Sequence, residues 1–371
     1  MFENLALRNF RNYQEAEVQF DPNVNILLGR NGQGKTNLLE ALVLLSSGES
    51  FRYSDNETFI RKNSEQAVLK AQAKIRDLEY DLELQISKSR KNHFLNGKRV
   101  NGSDLVSNFH FVLFSPESLT AIKEGADQRR QLVDELLIAV DPKNGTLIRD
   151  FRKALKTRNR ILKDFGEGKA DRNQTLALLE TLNHSFFRLS TELSMARIVA
   201  LRVIEPELNN AMQKISGVTQ TSRVEYQISG QKAFHFTHQD IHNLLLKRAL
   251  ELRDAELSSG TSLVGPQKHD IIFLYDENDS RFFCSQGQQR ALILSFKMAQ
   301  IVYHRRVHGA QPLLLLDDVL SELDEQKREA LIHFLQEVRT QIFMTTTDLK
   351  VTGDLANHDC RVIDIVNGQI R

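Results

Sequence analysis

The chain contains no tryptophan and only two cysteines among its 371 residues. Cys284 and Cys360 have no metal-ligand spacing between them, so neither a disulfide framework nor a zinc site is indicated. Long hydrophobic runs are also missing. The longest candidates, at 38–45 and 313–316, are far shorter than the roughly 20 apolar residues a membrane span needs. The opening residues Met1-Phe2-Glu3-Asn4-Leu5-Ala6-Leu7-Arg8 alternate like a strand and lack a signal peptide's charged start and apolar core. A reducing cytoplasm is the expected location. Net charge is only +1, so a polyanionic partner has to be met by a local patch. Without tryptophan, zinc-finger spacing or an aromatic-rich platform, no base-reading module is visible. Any contact with nucleic acid is therefore expected to be with phosphates, independent of sequence and sensitive to salt.

What is present begins with Gly29-Arg30-Asn31-Gly32-Gln33-Gly34-Lys35-Thr36, which fits the phosphate-binding pattern G-x-x-x-x-G-K-[ST]. Its flanks suit the mechanics: 24–28 reads as a short buried strand and 37–45, opening at Asn37, as a helix with apolar residues at helical spacing. Glycines let the backbone wrap a phosphate closely, and the helix N-terminus adds partial positive charge at the same point. Lys35 is expected to reach the β- and γ-phosphates and Thr36 to offer its hydroxyl to Mg²⁺. A mere glycine-rich turn fits the pattern and its flanks much less well.

The length suits two domains, or one domain interrupted by a large insertion. Residues 1–120 look like mixed sheet, with alternating stretches at 67–73 and 79–86 and an Asn96-Gly97 hairpin signal inside 93–100. From 121 to 218 the period turns helical, predicting helices at 127–140, 145–165 and 174–215, with Gly166-Glu167-Gly168 as a break and Pro206 as a kink or restart. Two long helices with a short connection predict an antiparallel arm. Strand pattern returns at 224–229, and 313–316 and 341–344 read as strands of a parallel sheet. The economical reading is an α/β head built from 1–120 and 219–371, with a helical arm inserted at 121–218.

The strand at 313–316 ends in Asp317-Asp318. At the carboxyl edge of a parallel sheet beside a phosphate loop, Asp317 would hold the metal's water shell and Asp318 would orient or deprotonate an attacking water. Ser285-Gln286-Gly287-Gln288-Gln289 opens a further helix, and a serine and a glycine at a helix N-terminus make an anion site. Alone, that segment is more economically read as a capped helix. Its position between a phosphate loop and an acidic strand end favours the anion site.

The order of phosphate loop, helical insertion, SQGQQR, LLLLDD and Ser321-Glu322-Leu323-Asp324 resembles ABC-type ATPases of the SMC and double-strand-break-repair branch, and most of all its bacterial DNA repair members. The likeness also takes in 7–13 (LRNFRNY), 114–117 (FSPE), Arg129-Arg130, Arg158-Asn159, Gly260-Thr261 and Gly265-Pro266. It implies an ABC-type P-loop head, a mixed sheet with an antiparallel β-subdomain, plus the inserted arm. It further implies two ATP·Mg²⁺ sandwiched in a head-to-tail homodimer. In that arrangement Lys35, Thr36 and Asp317 bind in one copy, while Ser285 and Gly287 sense the γ-phosphate held by the other. Ser321 and Asp324 would lie near the dimer interface. Asn9, Arg11 and Asn12 match residues lining the nucleotide; read without the resemblance, Arg11 is equally a surface residue.

Three departures from the family pattern stand out. Asp318 replaces the usual Glu, Thr347 takes the place of the switch histidine, and Gly265-Pro266-Gln267-Lys268-His269-Asp270 stands where GPHRDD is expected. The first two imply slow hydrolysis, a timer and not a motor. At the third, either Lys268 stands in for the arginine or the arginine's role goes unfilled, since lysine cannot reproduce a planar fork.

Arg149, Arg152, Lys153, Lys156, Arg160 and Lys163 follow helical spacing and form one basic stripe, opposite Phe151, Leu155 and Leu162. A DNA-contacting face and a solvated face are equally good readings of it. The resemblance implies an ATP-gated clamp on duplex, gapped or junction DNA, with a slow DNA-stimulated ATPase, which helps RecO and RecR load RecA. A transporter's ATPase subunit and a small-molecule P-loop kinase are the alternatives. SQGQQR argues against the kinase and the basic helical insertion against the transporter.

Overall fold

The computed structural model describes residues 1–371 except 53, 54, 76, 77, 103, 104, 106–108, 142, 218, 219 and 357–359. Two compact units emerge: one from Met1–Leu119, Ala211–Val218 and Ile293–Arg371, the other from Thr120–Asn210 and Thr219–Leu292.

The first unit holds β1 (Phe2–Phe10), β2 (Tyr13–Gln19), β4 (Gln66–Ile75), β5 (Leu78–Ser87), β6 (Lys91–Leu95) and β7 (Lys98–Val100), and buried residues alternate with more exposed ones along much of β2, β4 and β5. Such strands bury one face, and they form an antiparallel sheet in the order β2-β1-β4-β5-β6-β7. Asn96 and Gly97 join β6 to β7 with φ of 50° and 73°, the positive values a two-residue hairpin turn requires.

The second sheet runs β16-β15-β3-β14-β13-β8, from β3 (Val24–Leu28), β8 (Phe111–Phe114), β13 (Leu313–Asp317), β14 (Ile342–Thr346), β15 (Cys360–Val366) and β16 (Gln369–Ile370). The five strands from β15 to β8 are parallel, and β14 is buried at every position, as a strand covered on both faces must be. This order puts the carboxyl ends of β3, β14 and β13 side by side. Helix α1 (Lys35–Ser47) lies between the two sheets, touching β4 and β5 on one side and β13 and β14 on the other. Residues 38–46 of α1 are all buried, so this helix has no solvent face to mark it as amphipathic.

The second unit carries α2 (Ala126–Val140), α3 (Lys143–Gly166), most of α4 (Arg172–Ser216), α5 (His238–Ser259) and a sheet ordered β10-β9-β11-β12. Its strands are β9 (Ser222–Ile228), β10 (Gln231–Lys232), β11 (Asp270–Tyr275) and β12 (Asn278–Asp279). α3 and α4 pack antiparallel through Phe151 with Phe186, Arg158 with Asn183, and Leu162 with Leu179. α4 continues helical through Pro206. α5 packs on α3, and Glu256 of α5 receives both terminal nitrogens of the buried Arg158 at 2.8 and 2.7 Å. Because β11 pairs with β9 and α5 closes on the α3–α4 hairpin, residues 219–292 group with the helical unit, whereas their sequence pattern suggests the head. Two further helices are α6 (Gln286–His308) and α7 (Glu325–Val338).

Candidate nucleotide-binding site

The phosphate loop joins β3 to α1, and at two of its glycines a Cβ would meet neighbouring atoms closer than contact distance. Gly34 has φ 120°, and a Cβ there would lie 2.7 Å from Asn12 Nδ2; at Gly29 it would lie 2.4 Å from the Ile365 carbonyl oxygen. The first bond inside α1 runs from Leu38 N–H to Gly34 O at 3.1 Å, so the amides of 35, 36 and 37 precede it and face the loop end with the positive pole of the helix. Lys35 is buried, and its ammonium donates to the carbonyls of Gly29 (2.6 Å) and Arg30 (3.1 Å). Burial pulls its pKa below the ordinary lysine value, with Asp318 and Asp317 opposing the shift. Arg30, Asn31 and Gly32 are exposed.

Neighbouring turns brace the loop. Asn12 Nδ2 donates to Gln33 O at 2.8 Å, Asn37 Nδ2 to Asn12 Oδ1 at 2.8 Å, and the Tyr13 hydroxyl to Gly34 O at 3.0 Å. From the β15–β16 turn, Asn367 N–H donates to Gln33 Oε1 (2.7 Å) and Gly368 N–H to Gln33 O (3.0 Å). Arg11 is held by Glu40, with Nε and one terminal nitrogen each 2.9 Å from its carboxylate, and its guanidinium covers the Phe59 ring. Arg11 and Asn12 thus both have protein partners next to the loop.

Across the sheet edge, Thr36 Oγ1 donates to Asp317 Oδ1 at 2.8 Å, and Thr345 Oγ1 donates to the same oxygen at 3.0 Å. Burial raises the Asp317 pKa, against the two threonine hydrogen bonds and the Arg52 charge. Ligands at about 2.0–2.1 Å around an octahedral Mg²⁺ lie about 2.9 Å apart at adjacent vertices. The Thr36 and Asp317 oxygens match that edge, and both are the hard donors this ion prefers. Asp318 has φ 51°, its N–H donates to Thr345 Oγ1 at 2.8 Å, and Ser321 Oγ donates to its carbonyl (2.8 Å) and carboxylate (3.0 Å). Asp324 caps α7 by accepting from Lys327 N–H at 3.0 Å. Thr347 is exposed just beyond Thr346, whose carbonyl accepts from Gly29 N–H at 3.3 Å.

In the second unit, Ser285 and Gln288 cap α6 reciprocally: Ser285 N–H donates to Gln288 Oε1 at 2.9 Å, and Gln288 N–H to Ser285 Oγ at 3.2 Å. Ser285 and Gln286 are exposed, Gly287 and Gln288 half-buried, and Gln289 is buried with Nε2 donating to Ser280 O at 2.8 Å. Beside them Phe282 and Phe283 are 76% and 71% exposed. Lys268 is exposed, whereas Asp270 receives a bidentate fork from Arg129 (3.0 and 3.1 Å) and a further bond from Arg281 (3.1 Å). In α3, Arg149, Arg152, Lys153, Lys156, Arg160 and Lys163 are all exposed and Phe151 and Leu162 buried.

Sequence reasoning missed Thr345, Tyr13 and Glu40. Thr345 lies in the strand between the phosphate loop and Asp317, and only the strand order β3-β14-β13 makes it a neighbour of both. Tyr13 directly follows Arg11 and Asn12, but nothing in its spacing points toward the loop carbonyl.

A parallel sheet with a phosphate loop and an acidic strand end on adjacent strands, joined to an antiparallel sheet across a buried helix, defines an ABC-type P-loop ATPase head of the SMC kind. The family model described as RecF/RecN/SMC N terminal domain matches residues 1–368. The chain belongs to that family, in its RecF branch. It is 34% identical over 366 residues to the DNA replication and repair protein RecF of Lactobacillus delbrueckii subsp. bulgaricus, covering 97% of this chain and 94% of the relative. To the RecF of Natranaerobius thermophilus it is 31% identical over 384 residues, covering 98% and 96%. Among solved structures, the recombination mediator protein RecF-ATPrS in the RecFOR pathway superposes with a TM-score of 0.86 at 27% identity, covering 100% of this chain and 97% of the other. The Smc head domain from Pyrococcus furiosus shares the fold, with a TM-score of 0.55 at 18% identity.

Proposed function

We propose that this chain is an ATP-operated clamp on DNA, acting in replication and recombinational repair as its RecF relatives are named for. Lys35 exchanges its two loop carbonyls for the β- and γ-phosphate oxygens of ATP, while the amides at 35–37 face the same anion. Thr36 and Asp317 would hold Mg²⁺, which supplies charge neutralisation at the β- and γ-phosphates. Asp318 positions the attacking water from a shorter arm than glutamate offers, and the expected hydrolysis is slow. Thr347 at the switch position favours the same timer-like behaviour.

One observation carries the dimer. The Ser285–Gln288 cap is solvent-facing and flanked by two exposed phenylalanines, an apolar and anion-ready surface that suits the nucleotide-bearing face of a second copy. Ser285, Gly287 and Gln288 would contact the partner's ATP, and Ser321 and Asp324 would border the joint. The α3 stripe supplies sequence-independent contacts to duplex or gapped DNA. Partnership with RecO and RecR in loading RecA, and a cytoplasmic location, belong to the same reading. Among the described residues no helix is long and apolar enough to cross a membrane.

Analytical sedimentation with and without ATP and duplex DNA tests the reading. ATP is expected to produce a dimer, and Ser285→Arg to keep nucleotide affinity while abolishing it. A chain that stays monomeric at saturating ATP, with hydrolysis indifferent to DNA, would sink the clamp.

A further inference from the structure

Three histidines of the first unit converge away from the phosphate loop. His304 and His308 are one turn apart on α6, and His110 immediately precedes β8, with its carbonyl fixed by Leu313 N–H at 2.9 Å. Their rings approach within 4.7 Å (His110 with His304), 4.8 Å (His110 with His308) and 4.5 Å (His304 with His308) between centroids. One ring nitrogen from each lies within 4.8 Å of the others.

His304 sets the chemistry. It is 1% exposed, and its Nδ1 lies 3.0 Å from the Ala310 carbonyl. A carbonyl can only accept, so Nδ1 carries the proton and Nε2 presents a lone pair. That Nε2 is buried and has no hydrogen-bond partner. A buried acceptor with no donor is costly, whereas an imidazole whose far nitrogen donates to a backbone carbonyl is the usual arrangement of a metal ligand.

We propose that His110, His304 and His308 form a divalent transition-metal site that takes Zn²⁺, with water as the fourth ligand. Three neutral imidazoles and an open position are a donor set this ion accepts. Nitrogens at about 2.0–2.1 Å around a tetrahedral Zn²⁺ stand about 3.3 Å apart, so the widest pair has to close by about 1.5 Å through side-chain rotation. His110 and His308 are only half-buried, so theirs are the rings that would turn. The bound ion ties the C-terminal end of α6 to the lead-in of β8, the strand beside β13, and so acts as a clip within the sheet that carries Asp317.

The test uses the full-length chain, stripped with a chelator and free of nucleotide, titrated with Zn²⁺ against a chromophoric chelator. One ion per chain is expected, with a rise in Tm on loading. Substituting Co²⁺ should give the visible absorption of a tetrahedral nitrogen site. His110→Gln and His308→Gln, at half-buried positions, should each weaken Zn²⁺ binding roughly tenfold or more and remove the Tm response. His333→Gln, at an exposed histidine elsewhere, should change neither. Zn²⁺ affinity unaltered in both site variants, or no tight binding to the parent chain, overturns the proposal.

Discussion

The Thr36 hydroxyl and the Asp317 carboxylate meet at 2.8 Å although 281 positions separate them in the chain. Each occupies the end of its own element, the start of α1 and the end of β13, and a single intervening strand brings them together. Thr345, on that strand, holds the same carboxylate oxygen and also the Asp318 amide.

Thr36→Val removes the hydroxyl and keeps the shape. Affinity for ATP with Mg²⁺ should fall by about 1.5–3 kcal/mol, roughly 10- to 160-fold, the scale of a hydrogen bond or ligand to a charged group. Affinity measured in EDTA should change little. Equal losses under both conditions, read by calorimetry, would mean that Thr36 acts on the nucleotide without the metal.

Gly34→Ala has no room. The new methyl would press on both side-chain polar atoms of Asn12, at 2.7 and 2.9 Å, from a backbone with φ 120°. A loss of about 1–3 kcal/mol is expected in chemical unfolding, along with weaker ATP binding. Adding Asn12→Ala should recover part of the stability by freeing the space. Failure of that double variant to recover anything would leave the strain to φ and to the Tyr13 hydroxyl, 3.0 Å from the new methyl.

His269 predicts the acid limb of the stability profile. Burial, and then Arg197 and Arg130, lower its pKa from 6.5 to about 3, and its Nδ1 lies 2.9 Å from the Tyr226 hydroxyl. Between those two pKa values the unfolded chain binds the proton and the folded one does not, so protons favour unfolding. The contribution is intact above about pH 6.5 and is lost as pH falls toward 3. Its slope is at most about 1.4 kcal/mol per pH unit. His269→Gln should flatten the fall of Tm between pH 7 and pH 5; an unchanged slope would assign that limb to other groups.

For the α3 stripe, Lys156→Glu with Arg160→Glu should weaken binding to duplex DNA at low salt and make the remaining affinity less dependent on salt, by roughly one unit of log–log slope for each phosphate no longer neutralised. The same change should leave ATP affinity alone. Unaltered DNA affinity would return these exposed residues to the role of a solvated helix face.

Much of the head is legible in the sequence because its signals are local. The phosphate loop has a pattern and correct flanks, β13 and β14 are short apolar runs, and Asn96-Gly97 names its own turn. Legibility ends where neighbours come from distant sequence. α5 resembles part of the head because nothing in its own period says that Glu256 will receive Arg158. The bracing of the phosphate loop by Asn367 and Gly368 depends on strand order, which no window of residues contains. The cysteines speak against a zinc site, while the i, i+4 pair His304 and His308 carries no signal of its own because its third member lies beside β8.

The place of β3 has a bearing on how the chain is made. Its hydrogen-bonding neighbours are β14 and β15, so the strand that leads into the phosphate loop leaves the ribosome with both edges unpaired. It keeps them so until residues beyond 342 have been synthesised. The nascent chain carries an apolar, unsatisfied ribbon through most of its translation, a period in which chaperone shielding matters and truncated products are prone to stick together.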